Sequence, residues 1–463
     1  MKLLILCITL TMMLSVTDSV YSRQITDKPN VILILLDDLG WEDLGIMGHE
    51  IYKTPNIDNL AKDGIMFTNA YANAPNCAPS RAAILSGQYT PRHGILTVDS
   101  SARGEEHMRK VIPVETKKVL APEVITIAEA LKPFGYINAH IGKWQLGEGL
   151  ASGPLTQGFD INVGGTSNFP KRYFSPYRNK TIKDGPKGEY LTDRLTDEAL
   201  QFIDSLQSSS YRARPFFLYM SYFSPHTPYQ AKEETIEKYI KHKDSNKHLP
   251  TYAAMIDSID DNIGRLMLRL KELNIADNTT IILLSDNGGS SLTTTGVLRG
   301  SKATLYEGGI RVPMIIHGPK SITSGMKCAT PVMSTDLYTT ILGITGTDRP
   351  QGHILDGIDL QPLFSDCAKS EPRNLFWYFP AYIQGPKNTG GEYWHMTPAS
   401  AVRRGDYKLI EHFEDDSIEL FNLANDQKES RNIAAHFPEK TQELTSILRN
   451  WMYGINALTP EKK

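Results

Sequence analysis

Two short polar stretches of the 463-residue chain place carboxylate and amide oxygens directly after apolar runs. Asp37-Asp38 follows residues 30–36, and Asp286-Asn287 follows residues 280–284 and a serine. Hard oxygen donors suit calcium or magnesium better than zinc, and no histidine pair with zinc-ligand spacing lies near them. Each stretch alone could be a helix N-cap or a tight turn. The two stretches together predict one divalent metal site.

A third stretch, Cys77-Ala-Pro-Ser-Arg81 followed by residues 82–87, resembles the signature of the sulfatase family, Cys-x-Pro-Ser-Arg with a Leu-Thr/Ser-Gly tail. The resemblance covers nearly the whole mature chain, and the supporting motifs occur in the family's order. It implies a formylglycine-generating maturase that oxidises Cys77 to formylglycine (3-oxoalanine). The structural alternative is a buried free thiol at a helix start, with Pro79 in the first turn.

The conversion that the resemblance implies has a chemical reason. A serine alkoxide that attacks sulfur would leave a stable sulfate ester on the enzyme. A hydrated aldehyde carries two hydroxyls on one carbon, so one can attack sulfur and the other can later expel sulfate. The resemblance also implies that one calcium ion is held by the formylglycine oxygen and four side chains. These are Asp37, Asp38, Asp286 and Asn287. Such an ion would neutralise the sulfate and lower the pKa of the attacking hydroxyl.

Three more motifs carry groups that the resemblance assigns to the sulfate site. Lys143 lies in Gly-Lys-Trp-Gln-Leu-Gly (142–147), His226 in Ser-Pro-His-Thr-Pro (224–228), and Lys302 in Leu-Arg-Gly-Ser-Lys (298–302). By resemblance, Lys143 would bind a sulfate oxygen and Lys302 would reach both the sulfate and the leaving oxygen. His226 would lie near the leaving group, where a proton donor lowers the barrier. Arg81 would hold the formylglycine and the ion's ligands in place.

Gln145 departs from the family pattern, which usually reads Gly-Lys-Trp-His-Leu-Gly. The family's histidine is held to contact the formylglycine diol and to help remove its proton. Glutamine forms hydrogen bonds but does not titrate near neutral pH. Another base, with Asp286 the nearest candidate, would then act in the second half of the reaction, or turnover would be slower.

The elements that must position these residues read as an α/β fold. Continuous apolar runs at 30–36, 216–220, 280–284 and 313–316 are typical of strands buried on both faces of a sheet. Helical patterns at 57–64, 125–134 and 252–273 alternate with them. The alternation predicts a large doubly wound mixed or parallel sheet flanked by helices. Ligands gather beyond the carboxyl ends of such strands, where both polar stretches lie.

The composition shifts after about residue 346. Residues 374–379, 401–413 and 417–423 read as short strands, and residues 438–453 as an amphipathic helix. We therefore predict a signal peptide at 1–22, a catalytic sulfatase domain at 23–345, and a small C-terminal α+β subdomain with an antiparallel sheet at 346–463.

The first 22 residues have the features of an export signal: Lys2, an apolar run at 3–14, and Val-Tyr-Ser at 20–22. The apolar run is shorter than a membrane span, so we expect an exported, periplasmic or secreted protein without stable membrane association. Cleavage would leave Cys77, Cys328 and Cys367, an odd number. Cys328 and Cys367 could pair or remain two buried thiols. The net charge of -3 argues against nucleic-acid binding.

Two segments bear on the substrate. Residues 376–404 are rich in aromatic side chains and arginine, which suit sugar rings and anionic groups, although core packing could explain about half of the aromatics. The insertion at 97–121 carries five basic residues and could form a wall of the cleft or a solvated loop.

Export and this pattern favour a sulfated carbohydrate, with a carrageenan-like galactan preferred and glycosaminoglycans as the main competitor. The resemblance is strongest to bacterial polysaccharide sulfatases. A phosphodiester or phosphonate monoester hydrolase and an inactive carbohydrate-binding protein are the alternatives from other functional classes.

Overall fold

The structure is a computed structural model that describes residues 28–208, 214–242, 246–290, 296–318, 322–369, 371–385 and 393–463. The predicted signal peptide at 1–22 lies outside the described residues. Among the helices that are described, none combines the length and the hydropathy needed to cross a bilayer.

Strands occur along the whole of the described chain and fall into one large sheet, one four-stranded sheet and two short ribbons. In chain order they are β1 (Asn30–Leu36), β2 (Ile65–Tyr71), β3 (Val111–Ile112), β4 (Ile137–Gly142), β5 (Ile161–Val163), β6 (Phe216–Ser221), β7 (Thr279–Ser285), β8 (Arg311–His317), β9 (Met326–Cys328), β10 (Val332–Met333), β11 (Asn374–Phe379), β12 (Ile383–Gln384), β13 (Trp394–Met396), β14 (Ala399–Arg404), β15 (Tyr407–His412), β16 (Ile418–Asn422) and β17 (Glu461–Lys462).

Helices connect most of these strands. They are α1 (Pro55–Lys62), α2 (Cys77–Ser86), α3 (Thr90–His93), α4 (Ile127–Leu131), α5 (Gly149–Ser152), α6 (Leu191–Gln207), α7 (Glu233–Glu237), α8 (Leu249–Glu272), α9 (Glu307–Ile310), α10 (Asp336–Thr345) and α11 (Pro438–Gly454).

The large sheet has the order β10-β2-β8-β7-β1-β6-β4-β5, with β9 also paired to β2. Strands β7, β1, β6, β4 and β5 run parallel, whereas β8 is antiparallel to both β7 and β2. All seven residues of β1 are buried, as a strand covered on both faces requires. The prediction of a doubly wound mixed sheet is confirmed.

The two faces of this sheet carry separate apolar cores. On one face, α6 and α8 pack against the side chains of Ile32, Ile34 and their neighbours. On the other, α2, α4 and α10 pack against Val31, Leu33 and Leu35. Successive side chains of a strand point to opposite faces, so a single run of apolar residues supplies both cores.

The predicted C-terminal antiparallel sheet is present in the order β11-β14-β15-β16, with α11 packed on β14 and β15. One detail of the prediction is wrong: residues 401–413 do not form one strand. The chain reverses at Gly405-Asp406, where Arg404 pairs with Tyr407 and Gly405 has a φ of 58°. Glycine adopts this left-handed conformation at no steric cost, which makes it a good hairpin turn residue. The division into domains at residue 345 stays a prediction.

Cys328 and Cys367 form a disulfide, which decides between the two alternatives left open by the sequence. The bridge spans 39 residues and joins β9 of the large sheet to a short 3-10 turn beyond the predicted domain boundary. Cys77 is free and buried.

Candidate active site

The polar residues after β1 and β7 meet at one edge of the sheet. These two strands pair in register, with Leu36 opposite Ser285, so the residues that follow them are neighbours. The backbone N–H of Asp38 donates to Asp286 Oδ1 at 3.2 Å, and the Asn287 amide donates to Asp38 Oδ1 at 2.8 Å. All four predicted ligand side chains, Asp37, Asp38, Asp286 and Asn287, are buried.

Cys77 is the first residue of helix α2, and this end of the helix lies at the same edge of the sheet. The Cys77 sulfur lies 3.6 Å from Asp37 Oδ1 and 3.8 Å from Asp38 Oδ1. The residue is 2% exposed, and its burial raises the pKa of the thiol to about 12. The unmodified thiol is therefore neutral at physiological pH, and neutral thiols are poor nucleophiles.

Arg81 lies one helical turn after Cys77 and is fully buried. Its guanidinium donates two hydrogen bonds to Asp286 Oδ2, at 2.9 and 2.7 Å, and lies 3.5 Å from Asp37. It also donates to the carbonyl oxygen of Lys143 at 3.2 Å and to the hydroxyl of Ser221. A planar cation with several fixed donors can thus tie the ends of β1, β4, β6 and β7 together.

The two predicted lysines contact the two adjacent aspartates. Lys143, just after β4, places its ammonium 2.8 and 2.7 Å from the oxygens of Asp37. Lys302 places its ammonium 2.7 Å from the carboxylate of Asp38. Lys143 is completely buried, whereas the Lys302 side chain is 21% exposed, so the site opens to solvent on the Lys302 side.

His226 lies on that open side, with its side chain 15% exposed and Nε2 3.6 Å from Asp38 Oδ2. Its Nδ1 is 2.7 Å from the carbonyl oxygen of Thr227, so Nδ1 must carry a hydrogen to donate. That contact leaves Nε2 as the ring nitrogen that faces the carboxylates.

The charges of the site act strongly on one another. We call Asp37, Asp38, Asp286, Arg81, Lys143 and Lys302 the active-site cluster. Burial alone would raise the pKa of Asp37 and Asp38, but Lys143 and Lys302 hold both below the ordinary value. Burial raises the pKa of Asp286 despite the contact with Arg81. Conversely, burial would lower the pKa of Lys302, and Asp38 raises it well above normal.

The donor set fits a hard divalent cation. Asn287 Oδ1 is buried and accepts no hydrogen bond, although the amide nitrogen of the same side chain has two acceptors. A buried carbonyl oxygen without a partner is costly, and a cation removes that cost. Ligand atoms of Asp37, Asp38, Cys77 and His226 lie within 4.8 Å of one another. This group includes His226, which was not among the predicted ligands. Asp286 is not in the group but is next to it, because it accepts hydrogen bonds from the N–H of Asp38 and from Arg81.

Gln145, two residues after Lys143, has a backbone conformation that is rare outside glycine, with a φ of 63°. Its N–H donates to Thr166 O at 3.0 Å, and its side-chain Oε1 is buried without a hydrogen-bond partner. The residue lines a cavity of about 630 Å³, together with Ala78 and the insertion. The insertion therefore forms a wall of this cavity, as one of the two interpretations of its sequence predicted.

Most of the aromatic segment is core and not a sugar platform. Trp377, Tyr378, Phe379 and Tyr382 are at most 2% exposed, which agrees with the expectation that core packing explains about half of the aromatics. Arg403 is also buried and donates to the hydroxyl of Tyr71. Both faces of β11 are covered in this part of the strand, since Trp377 and Phe379 belong to one apolar core and Tyr378 to another.

Two residues that contact members of the active-site cluster were not predicted to do so. Ser221, at the end of β6, accepts from Arg81, and His395, on β13, contacts the carbonyl oxygen of Lys302 at 3.1 Å. Serine at the carboxyl end of an apolar run was a usable signal for Ser221. For His395 there was none, since nearly 100 residues separate it from Lys302.

Comparison with known protein families gives matches over most of the chain. The sequence profile of the family described as Sulfatase matches residues 29–347. A second profile, described as N-sulphoglucosamine sulphohydrolase, C-terminal, matches residues 301–457.

Individual proteins agree with these profiles. A sulfatase of Formosa agariphila is 29% identical over 94% of this chain and 91% of its own length. Human N-acetylgalactosamine-6-sulfatase is 32% identical over 76% of this chain and 68% of its own. The crystal structure of Ps i-CgsB in complex with k-i-k-neocarrahexaose has 31% identity and a TM-score of 0.75 over 92% of both chains. The chain therefore belongs to the sulfatase family and is a sulfuric ester hydrolase.

Proposed function

We propose that this enzyme removes sulfate from a sulfated carbohydrate, using a formylglycine made from Cys77 and a bound calcium ion. A galactan of the carrageenan type is the favoured substrate. The observation that carries the proposal is the position of Cys77: its sulfur faces two aspartates, inside a cluster of three carboxylates and three basic side chains.

The cation would be held by Asp37, Asp38, Asp286, Asn287 and the oxygen that replaces the Cys77 sulfur. When bound, it would supply Lewis-acid stabilisation of the nucleophile and of the sulfate charge. The unpartnered Oδ1 of Asn287 supports this assignment. Because the three carboxylates of the cluster already balance its three basic groups, a divalent cation would leave the site positive, which favours an anionic ester.

The chain's own side chains would then divide the remaining work. Lys143 and Lys302 attract the sulfate oxygens with fixed ammonium groups, which need no reorganisation as charge develops. His226 turns Nε2 towards the leaving oxygen, since Nδ1 is engaged by the carbonyl oxygen of Thr227, and the protonated ring would donate from Nε2. Arg81 keeps Asp286 and the strand ends in place.

Maturation must precede folding in this proposal. Cys77 is 2% exposed and lies at the first turn of a fully buried helix, so a second enzyme cannot reach it in the native structure. A formylglycine-generating maturase would therefore act on the unfolded chain. This order fits export of the protein, which we propose from the residues at 1–22.

Two relatives support different carbohydrate substrates. The carrageenan oligosaccharide in the Ps i-CgsB structure supports a sulfated galactan, at coverage of 92% of both chains. The similarity to N-acetylgalactosamine-6-sulfatase covers less of each chain, 76% and 68%, and supports a glycosaminoglycan as the second candidate. We rank the galactan first because that match spans both the sheet domain and the C-terminal sheet.

The test is sulfate release by protein co-expressed with a formylglycine-generating maturase. Carrageenan and glycosaminoglycan oligosaccharides, an aryl sulfate and an aryl phosphodiester are compared in the presence of calcium. We expect release from carrageenan oligosaccharides, and loss of at least about a thousandfold in kcat/KM for Cys77→Ala. Mass spectrometry of the peptide containing residue 77 verifies the aldehyde.

The matched control is Cys328→Ser, which removes a cysteine outside the site. It should lower stability and leave turnover by folded protein intact. Equal activity of Cys77→Ala and wild type would refute the nucleophile. Faster cleavage of the phosphodiester than of any sulfate would refute the reaction class, and binding of oligosaccharides by fully converted protein without turnover would favour a carbohydrate-binding role.

A further inference from the structure

The cavity of about 630 Å³ beside the nucleophile is a separate compartment of the cleft, which we call the insertion cavity. It is lined by residues 97–102, 113 and 115–118 of the insertion, by Gln145 and residues 167–168, and by Ala78, which follows Cys77 in the chain. No member of the active-site cluster lines it. Its volume is within the range of about 300–1,000 Å³ that is usual for small-molecule sites.

The insertion is held in place by hydrogen bonds and does not need a ligand to order it. Tyr382 donates its N–H to Ser101 O at 2.9 Å, and its hydroxyl accepts from the N–H groups of Lys110 and Val111 at 3.0 and 3.1 Å. The Thr116 hydroxyl accepts from Leu96 N at 2.8 Å. A wall fixed in this way is preorganised for binding, which reduces the entropy lost when a ligand is held.

Two polar atoms at the cavity wall lack partners. Ser101 is 3% exposed and its Oγ forms no hydrogen bond, and the buried Oε1 of Gln145, a partly exposed residue, has no partner either. Buried polar groups are normally hydrogen-bonded, so unpartnered ones call for an explanation. Both residues line the same cavity, and a rotation of either side chain towards the cavity would let the hydroxyl groups of a ligand supply the missing partners.

The charges around the cavity balance. Asp99, Glu115, Lys117 and Lys118 all line it and are exposed, two acids and two bases. A balanced wall gives no general attraction for a second anionic group, in contrast to the positive sulfate site that we propose. The chemistry of the cavity therefore suits an uncharged, hydroxyl-rich group.

We propose that the insertion cavity binds the uncharged sugar residue that adjoins the sulfated one, with Ser101 and Gln145 hydrogen-bonding its hydroxyls. This inference rests on the proposed function and makes it more specific: the substrate is an oligosaccharide and not a sulfated monosaccharide. Gln145, where the family usually has histidine, then serves substrate recognition in place of proton transfer.

Chain length of the substrate provides the first test. Matured wild-type enzyme is assayed with galactose sulfate, with sulfated carrageenan oligosaccharides of two and four residues, and with 4-methylumbelliferyl sulfate. Two hydrogen bonds, each worth about 0.5–1.5 kcal/mol, predict that kcat/KM rises roughly tenfold or more from the monosaccharide to the oligosaccharides.

Variants provide the second test, through the ratio of kcat/KM for the tetrasaccharide to that for the aryl sulfate. Ser101→Ala and Gln145→Leu should each lower this ratio roughly three- to tenfold, because each removes one hydrogen bond to the added sugar. Ser400→Ala is the matched control. Ser400 is also buried with an unpartnered Oγ, but it lies in β14 away from the cavity, so the ratio should not change.

The outcomes separate the two proposals. Equal kcat/KM for the monosaccharide and the oligosaccharides, or an unchanged ratio in both variants, overturns the insertion cavity as a subsite and leaves the proposed function standing. Absence of sulfate release from every substrate by fully converted enzyme overturns both. Calorimetry of Cys77→Ala adds a readout without turnover, in which tighter binding of the tetrasaccharide than of galactose sulfate supports the subsite.

Discussion

Two clusters of buried charged side chains have different roles, although some of their members are close in sequence. The active-site cluster includes Lys302, and the second cluster includes Glu307. We call the second the interface cluster; it consists of Tyr71, Glu307, Arg311, Arg403, Lys408 and Glu429 and joins α9 and the large sheet to the C-terminal sheet.

The carboxylates of the interface cluster are paired with basic side chains of the same cluster. Lys408 is fully buried between Glu307 and Glu429, at 3.0 and 2.9 Å. The Tyr71 hydroxyl donates to Glu307 at 2.6 Å, and the Glu307 N–H donates to Glu429 at 2.7 Å. The active-site cluster differs in two ways: its neighbour Asn287 keeps an unpartnered oxygen, and Lys302 and His226 are partly exposed. Closed networks stabilise a fold, whereas open ones are available to a ligand.

The largest effect should come from breaking the closed network. Lys408→Met leaves two buried carboxylates without their shared cation, so the free energy of unfolding should fall by about 3–5 kcal/mol. Urea denaturation measures this change. Lys462→Met, which removes a half-exposed lysine paired with Asp416, should cost less than about 1 kcal/mol. Similar losses for the two variants would show that the interface cluster is not a structural network.

Lys302→Met should lower activity more than stability, which is the opposite of what we expect for Lys408→Met. The loss of a fixed cation facing the sulfate should lower kcat/KM about 10²–10³-fold, whereas the free energy of unfolding in the presence of calcium should change less than in Lys408→Met. Asp38 keeps its hydrogen bond from Asn287 in the variant, so no buried carboxylate is left unpartnered. Steady-state kinetics and urea denaturation on the same preparation test the pair. A stability loss equal to that of Lys408→Met would remove the distinction.

Calcium removal sharpens the comparison further. If the active-site cluster holds the ion, calcium at a hundred times its dissociation constant should stabilise the fold by about 2.7 kcal/mol. Thermal unfolding with calcium and with a chelator measures the shift in Tm. The shift should persist in Glu429→Gln, which alters the interface cluster, and be lost in Asp38→Asn. A calcium shift retained in Asp38→Asn would place the ion elsewhere.

The smallest effect concerns pH. Burial raises the pKa of Glu429 from its ordinary value to about 7. Between about pH 4.5 and 7 the unfolded chain has lost this proton and the folded chain retains it, so stability falls as pH rises through this window. Glu429→Gln cannot titrate, so its free energy of unfolding should decline less from pH 5 to pH 7. Urea midpoints at each pH test this slope, with the exposed Glu461→Gln as the control that should behave like wild type.

Much of the fold was readable because burial on both faces leaves a simple signature. The predicted and observed limits of β1 and β11 agree, at 30–36 and 374–379. The chain reverses at Gly405-Asp406, within a run that was predicted as one strand, although this dipeptide is itself a turn signal. The disulfide could not be predicted, because a separation of 39 residues does not fix how two cysteines meet in space.

The aromatic segment shows the limit of composition as a guide. Tryptophan and tyrosine serve both cores and binding surfaces, and only the pairing of β11 with β14 buries Trp377 at 0% exposure. Tyr382 and Tyr393 instead hold the insertion by hydrogen bonds, at 2.9 Å to Ser101 O and 2.8 Å from Glu105 N. The aromatic segment and the insertion, which the sequence offered as two separate walls of the cleft, are therefore joined to each other by hydrogen bonds.

By itself, the sequence determined the chemistry available to this protein: a cysteine in a stretch that resembles the sulfatase signature, hard oxygen donors after two apolar strands, and a family resemblance that relates them. These features are local, so they can be read from neighbouring residues. Only the tertiary structure decided which charged groups are paired inside the protein, which are open to solvent, and which buried polar atoms have no partner. Such properties depend on contacts between residues far apart in the chain, such as Asp38 and Asn287, which are 249 positions apart, and no local pattern encodes them.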